Sequence, residues 1–194
     1  MPKVVDAEQR RREVFDAVFT VVVEHGVHGA SLRRVAETAG LAIGSVRHYF
    51  DSAEQMLTEA AAEVIARVTT RLEAHRAELD AETDRGVVAE RMIAELLPWD
   101  AVSTRETTVW LEFALAARTA PAYRATAELL HAGVRELARR IVENRVPPER
   151  TAVEAERLAC LIDGLGFAGT LHPGSLPPEL ARDVVRRHLD SLGA

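Results

Sequence analysis

The amino-acid sequence predicts an all-α protein of about nine helices, in which three short N-terminal helices precede six longer ones. Two features predict this fold class. Apolar residues recur every three or four positions along nearly all of the 194 residues, which is the period of one helix face. No segment alternates apolar and polar residues beside an Asn-Gly or Asp-Gly turn, so no β-hairpin is expected.

A recognisable signal bounds each of the first three helices. A capping-box pattern at Asp6 opens the first, whose apolar stripe stops at Gly26. Ser31 is a suitable N-cap for the second, and Gly40 can take the left-handed conformation that ends it. A third short helix runs through about Tyr49. The sequence therefore predicts a group of three helices within its first fifty residues.

Caps and prolines delimit the six further helices, because proline cannot continue a helix from within. The fourth helix is expected over 51–79 and the fifth from Gly86 to Leu97, while the sixth should end before Pro121 and the seventh before Pro147. A capping box of Thr151 and Glu154 should open the eighth helix, which ends near His172, and the ninth should start at Pro177.

The composition excludes several classes of protein. The chain is 47% hydrophobic, enough to bury a core, and its single cysteine, Cys160, cannot form an intrachain disulfide. Charged residues interrupt every apolar run before the ~18 residues that a membrane span needs. Residues 1–6 lack the apolar core of a signal peptide. A cytoplasmic protein without membrane association is expected.

Charge is unevenly distributed along the chain. Residues 1–50 carry seven basic and six acidic groups, whereas the remainder carries 17 basic and 24 acidic groups. A nearly neutral, arginine-dotted N-terminal segment on an acidic body is expected if only that segment approaches a polyanion.

The three short helices fit a helix-turn-helix plan. Ala36 is small enough for the second and third helices to cross closely, and Gly40 makes the turn between them. The third helix has too few apolar positions to belong to a core, and an exposed helix of this kind suits a DNA major groove. Its polar side chains belong to Ser45, Arg47, His48 and Tyr49.

Residues 29–57 resemble the DNA-binding segment of the TetR family of transcriptional regulators. The matching positions are Ser31, Val35-Ala36, Ala39-Gly40-Leu41, Gly44, Arg47, Phe50 and Leu57. The body is similar to the choline-responsive BetI subgroup of that family, through Leu97–Asp100, Arg105-Glu106, Trp110–Phe113 and Asp163–Leu165, although Ala120-Pro121 replaces the usual Asp-Pro.

The resemblance implies a set of DNA-facing residues, with the Arg10–Arg12 segment beside a phosphate strand. Two positions depart from the family pattern, since Ile43 and Ala53 replace residues that are often polar or basic, and fewer phosphate contacts follow. The implied DNA-facing residues are Ser31, Arg33, Gly44, Ser45, Arg47, His48 and Tyr49.

A homodimer is expected, because one nearly neutral segment offers few phosphate contacts and two copies ~34–36 Å apart would add theirs on one face of the duplex. The apolar stripes of the last two helices could pair as a four-helix bundle, or they could pack inside the monomer. Their residues are Leu158, Leu161, Ile162, Leu165, Val184, Val185 and Leu189.

The sequence offers a binding body and no visible catalytic or metal site. Gly164–Gly169 spells a dinucleotide-type glycine pattern, but it lies within a helical stripe and lacks the preceding strand. Cys160 is expected to be a small core residue. Apolar, aromatic and polar residues could instead line an effector cavity or form a solid core. They are Met92, Leu96, Trp110, Phe113, Tyr123, His131, Asp163 and Phe167.

The sequence thus predicts a ligand-responsive regulator with a helix-turn-helix DNA-binding domain at 1–52 and a helical ligand-binding and dimerisation domain at 53–194. It would bind a palindromic double-stranded operator as a dimer and release it when a small-molecule effector binds. Repression is the usual outcome in the resembled family, and no cofactor is expected. Two alternatives stay open: an all-α enzyme or cofactor-binding protein with a coincidental helix-turn-helix, and a protein-interaction module.

Overall fold

A computed structural model describes residues 7–77, 84–143 and 145–192. These ranges form nine α-helices, a short 3₁₀ turn and no strand, so the all-α prediction is confirmed. The helices are α1 (Ala7–Gly29), α2 (Leu32–Thr38), α3 (Ile43–Arg47), α4 (Ala53–Ala77), α5 (Arg85–Ala94), α6 (Ala101–Ala116), α7 (Arg124–Val142), α8 (Pro148–Leu171) and α9 (Pro178–Ser191), with the 3₁₀ turn at Pro121–Tyr123.

The chain divides into two compact units. The first consists of Met1–Ile65 and Thr108–Ala127, and the second of Ala66–Thr107 and Glu128–Ala194. The division falls inside α4 and inside α6. The two units are defined by the contacts between their residues and not by function. The functional domain boundary expected at residue 52 therefore stays a prediction.

The first unit is built on the apolar faces of α1 to α4. Val14, Val18 and Val22 of α1 are fully buried, as the helical spacing predicts. Val35 and Ala36 of α2 and Val46 of α3 close the same core. Further buried residues are Phe15, Phe19, Val21, Phe50, Met56, Leu57, Ala60, Ala61 and Val64.

Two expected ends in this unit differ from the structure. The helical span of α1 continues to Gly29, with a break at Gly26, whose φ of 69° is left-handed. Helix α3 ends at Arg47 and not at Tyr49, because His48 is its C-cap. The expected cap at Asp6 lies outside the described residues.

The second unit encloses a separate core. Helices α5, α7, α8 and α9 bury their apolar stripes against one another, with Ile93, Leu97, Leu158 and Val185 almost inaccessible. Gly169 allows a close approach here, since a Cβ atom at this position would lie 2.6 Å from Cγ of Pro98. The glycine pattern of α8 therefore serves packing in at least one position.

The expected start of α8 was wrong. The helix begins at Pro148, one turn before the predicted capping box, because proline suits the first helical position, where no amide donor is needed. Glu154 lies inside the helix as a buried carboxylate, and Arg150 and Arg157 donate to it at 3.2 and 2.8 Å. Helix α5 also ends earlier than predicted, at Ala94.

Replacing Gly40 with alanine should destabilise the protein by about 1–2 kcal/mol, the cost of a left-handed conformation for a residue with a Cβ atom. Gly40 has a φ of 66°. Gly44→Ala is the matched control, because no atom lies within 4 Å of an added Cβ at either position. Within helix α3 that change should instead stabilise by roughly 0.5–1 kcal/mol. Urea unfolding measures both, and equal effects would contradict the backbone explanation.

Candidate DNA-binding surface

The turn between α2 and α3 is fixed by local hydrogen bonds. Ser31 caps α2, and its Oγ accepts a hydrogen bond from the backbone N of Arg34 at 3.2 Å, as its position predicts. Beyond the helix, the backbone N of Leu41 donates to the carbonyl of Ala36 at 2.9 Å while Gly40 adopts its left-handed conformation. These bonds direct the chain sharply from α2 into α3.

Helix α3 presents almost all of its surface outward. Val46 is its one buried residue and anchors it to the core. Ser45, Arg47 and His48 are exposed, as the sequence predicts for a helix that reads DNA. A Cβ atom on Gly44 would meet no atom within 4 Å, so the backbone there is open to close approach.

Arg47 has no hydrogen-bond or ion-pair partner among residues 7–77, 84–143 and 145–192. Its five donors are therefore available to base edges or phosphates.

Tyr49 and His48 form a small aromatic group just after α3. Their rings meet edge to face, with centroids 5.2 Å apart and planes at 74°. Tyr49 is half-buried, and its ring lies 6.5 Å from that of Phe50. The aromatic contacts orient Tyr49, while His48 stays on the exposed side.

Two predicted DNA contacts come from α2, and both side chains are exposed. Arg33 forms an ion pair with Glu37 at 2.9 Å, with its side chain 81% exposed. Such a pair contributes ~0.2–1 kcal/mol, so a phosphate can replace Glu37 at little cost. Ser31 is exposed as well, although its hydroxyl oxygen already accepts the capping hydrogen bond.

One ion pair and two hydrogen bonds, here called the relay, hold the C-terminal side of α3. The sequence did not reveal them. Arg11 of α1 forms an ion pair with Glu59 of α4. Glu59 accepts a hydrogen bond from Nε2 of Gln55 at 2.9 Å, and Oε1 of Gln55 accepts one from the backbone N of Asp51 at 2.8 Å. The relay connects α1 to the turn that follows Phe50.

The guanidinium of Arg11 also covers aromatic rings. Its central carbon lies 5.1 Å from the ring centroid of Phe50 and 5.6 Å from that of Phe15. The sequence placed Arg10, Arg11 and Arg12 together beside a phosphate strand. Arg10 pairs with Glu13 at 2.6 Å, and Arg12 is exposed. Arg11 is thus engaged within the fold, which its 48-residue separation from Glu59 hid from sequence reasoning.

The predicted dimer residues largely face inward. Five of them are buried in the core of the second unit, so the alternative of packing within the monomer holds for them: Leu158, Ile162, Leu165, Val185 and Leu189. Leu161 and Val184 are partly buried against the same core. Helix α8 carries apolar residues on two faces, and the sequence does not say which face is internal. The opposite face exposes Val153, Phe167 and Leu171, at 64%, 49% and 51%.

Cys160 lies on this exposed face and not in the core, which corrects the expectation. Its Sγ lies 3.5 Å from Oε1 of Glu156. Partial desolvation and the Glu156 carboxylate raise the pKa of the Cys160 thiol, which disfavours the reactive thiolate.

The residues predicted to line an effector cavity are distributed over both units. Trp110, Phe113 and Tyr123 belong to the first, where Phe113 is fully buried with its ring centroid 5.4 Å from that of Tyr123. Burial raises the pKa of the Tyr123 hydroxyl, and the charge of Glu54 adds to this. The burial of Phe113 and Tyr123 therefore fits the alternative of a solid core.

The other five predicted ligand residues belong to the second unit. Met92 and Leu96 pack against its core, and Oδ2 of Asp163 accepts a hydrogen bond from Arg135 at 3.2 Å. His131 and Phe167 are exposed. The role of these five side chains in binding an effector stays a prediction.

A groove of about 960 Å³ does lie in the second unit. Of the predicted ligand residues, Met92 lines it. Leu72, Leu137 and Ile141 contribute apolar walls. Hydrogen bonds from Arg139 and Arg140 lower the pKa of the groove residue Glu136 to about 2, so its carboxylate stays charged near neutral pH.

Helix α2, the left-handed turn at Gly40 and the exposed, arginine-bearing helix α3 have the arrangement of a helix-turn-helix DNA-binding protein. Comparison with known proteins agrees with this class. Residues 14–60 match bacterial regulatory proteins of the tetR family, and residues 87–194 match the C-terminal region of the BetI-type transcriptional repressor. The chain belongs to the TetR family and is a transcriptional regulator.

Individual relatives span nearly the whole chain. The HTH-type transcriptional regulator PksA of Bacillus subtilis is 32% identical, with 99% of this chain and 94% of PksA covered. The regulator BetI of Burkholderia thailandensis is 29% identical, with 99% and 97% covered. A transcriptional regulator from Rhodococcus sp. Rha1 has a similar fold, with a TM-score of 0.80, 26% identity, and 94% and 95% of the two chains covered.

No helix in the described ranges combines the length and the apolar character that a membrane crossing requires. The same ranges contain no group of three or more histidine, cysteine or acidic side chains placed to hold a metal ion.

Arg11→Ala should lower the free energy of unfolding by about 1 kcal/mol, because a partly exposed ion pair and a cation–π contact are each worth roughly 0.5–1 kcal/mol. Arg10→Ala is the control on the same helix, since Arg10 pairs only three residues away. Its loss should stay below about 0.5 kcal/mol. Urea titration distinguishes the two, and equal losses would mean that the relay adds no stability.

Proposed function

We propose that this regulator binds a palindromic DNA operator as a homodimer and represses transcription until a small-molecule effector releases it. The single observation that carries DNA reading is the outward face of α3, where Ser45, Arg47 and His48 are exposed. An arginine without an internal partner can donate two hydrogen bonds to a guanine edge in the major groove. Gly44 lets the backbone approach the phosphates closely.

The small number of cationic groups supports a dimer. Arg11 is engaged with Glu59, and Arg33 and Arg10 each have an acidic neighbour, so one copy has few arginines to give to phosphates. Binding strength depends on the number of neutralised phosphates, so two copies on adjacent major grooves are needed for useful affinity.

A second copy of this chain is the occupant we propose for the exposed face of α8 and α9. Leu180 of α9 is 50% exposed, and the apolar side chains of Val153, Phe167 and Leu171 on α8 are exposed as well. Gly164 is exposed on the same face of α8, with open space around it. Two copies of such a face can pack as a four-helix bundle around a twofold axis.

The effector site that we propose in the second unit is the groove of about 960 Å³. Its lining combines apolar side chains such as Met92 and Leu137 with charged ones such as Arg76 and Glu136. An amphipathic small molecule matches that lining. Because operator DNA is the proposed target, the regulator would act in the cytoplasm.

Arg47→Ala should weaken binding to the operator by about 1–3 kcal/mol and relax its base preference, if Arg47 reads a guanine. Electrophoretic mobility shift with DNA flanking the protein's own gene measures this. Arg118→Ala is the control, an exposed arginine that follows α6 and lies outside the implied DNA contacts. Equal weakening on all sequences would reduce Arg47 to a phosphate contact, and failure of the wild type to retard any flanking fragment specifically would overturn the proposed function.

Phe167→Glu should convert the dimer into monomers and weaken operator binding at least tenfold, because it places a charge in the apolar interface of both copies. Sedimentation velocity measures the mass. Leu129→Glu, at a 64% exposed position on α7, is the matched control and should stay dimeric. A dimeric Phe167→Glu protein would rule out this face.

A further inference from the structure

Helix α1 is interrupted near its end, and a carboxylate from α6 fills the interruption. Gly26 adopts φ 69° and ψ 171°, which breaks the helical hydrogen-bond pattern. The next backbone amide, that of Val27, donates to Oε2 of Glu112 at 3.4 Å. Glu112 therefore supplies an acceptor at the position where the helix no longer provides one.

The left-handed backbone at Gly26 favours glycine, and the Glu112 carboxylate lies directly beside it. A Cβ atom at Gly26 would lie 2.9 Å from Oε2 of Glu112. Val27 is only 2% exposed, and a buried amide that loses its acceptor is costly. The carbonyl of Val27 in turn accepts a hydrogen bond from the backbone N of Ala30 at 3.2 Å, and the Ser31 cap of α2 follows directly. Glu112 thus lies at the turn that aims α2, and α2 carries α3.

Helix α6 is held firmly around this carboxylate. Within the first unit, Val109 and Phe113 are buried, so Glu112 is presented from a packed helix. The same helix begins in the second unit. There the buried carboxylate of Glu106 forms an ion pair with Arg71 of α4.

We propose that Glu112 is a positioning residue through which α6 sets the orientation of the DNA-reading helix. Its carboxylate caps the broken end of α1, fixes the turn into α2 and so determines where α3 points. The inference rests on the proposed function.

The test compares Glu112→Leu with Glu112→Gln in the full-length protein. Leucine removes the acceptor, whereas glutamine keeps a carbonyl oxygen of the same reach. Fluorescence anisotropy measures affinity for the operator fragment and for an unrelated duplex, and amide hydrogen exchange reports on Val27. Leu115→Ala is the control, at a 59% exposed position on the same helix.

Glu112→Leu should weaken operator binding about tenfold, within the ~5–150-fold range of such couplings, with unchanged binding to unrelated DNA and faster exchange at Val27. Glu112→Gln should stay within about twofold of the wild type. Unchanged operator affinity in Glu112→Leu would overturn the proposal, and so would a glutamine variant as weak as the leucine variant. A parallel loss on both DNAs with a lowered melting temperature would show a folding role only. If the wild type itself binds no operator, the proposed function fails, a separate result.

Discussion

The anchoring of α3 by two apolar side chains is the interaction on which the DNA-reading surface depends. A five-residue helix cannot be stable alone, because helix nucleation is costly. Val46 and Phe50 are buried in the core of the first unit, and Phe15 packs 5.8 Å from Phe50. The polar side chains of α3 are exposed because these two positions hold the other side of the helix.

Few of the arginines near α3 are left for DNA phosphates, which supports the proposed dimer. Arg11 serves the fold by pairing with Glu59 and covering Phe50, so it strengthens the platform and not the DNA contact. Arg47 remains available on α3. With its cations used in this way, one copy has few groups left for phosphates, and the proposed dimer would supply the missing affinity.

Local signals made the helix-turn-helix predictable, and nonlocal contacts hid the rest. Ser31 and Gly40 act within a few residues, so their cap and turn could be predicted from sequence and are confirmed. The buried side of α8 could not be predicted from sequence, because that helix is apolar on two faces and the packing of neighbouring helices determines which face is buried. Cys160 was assigned to the core for the same reason. The Glu112 contact joins positions 85 residues apart, so only a folded chain could reveal it.

Methylation interference at guanine N7 on the DNA flanking the gene tests whether α3 reads the major groove, because N7 lies in that groove. We expect two interfering guanine clusters on one face of the duplex, about 10–10.5 base pairs apart or a multiple of that spacing, related by a twofold axis. Loss of the effect at one defined guanine in each cluster with Arg47→Ala would identify the base that Arg47 reads. Interference confined to a single cluster would contradict the proposed dimer, and no interference at major-groove positions would contradict α3 as the element that reads DNA.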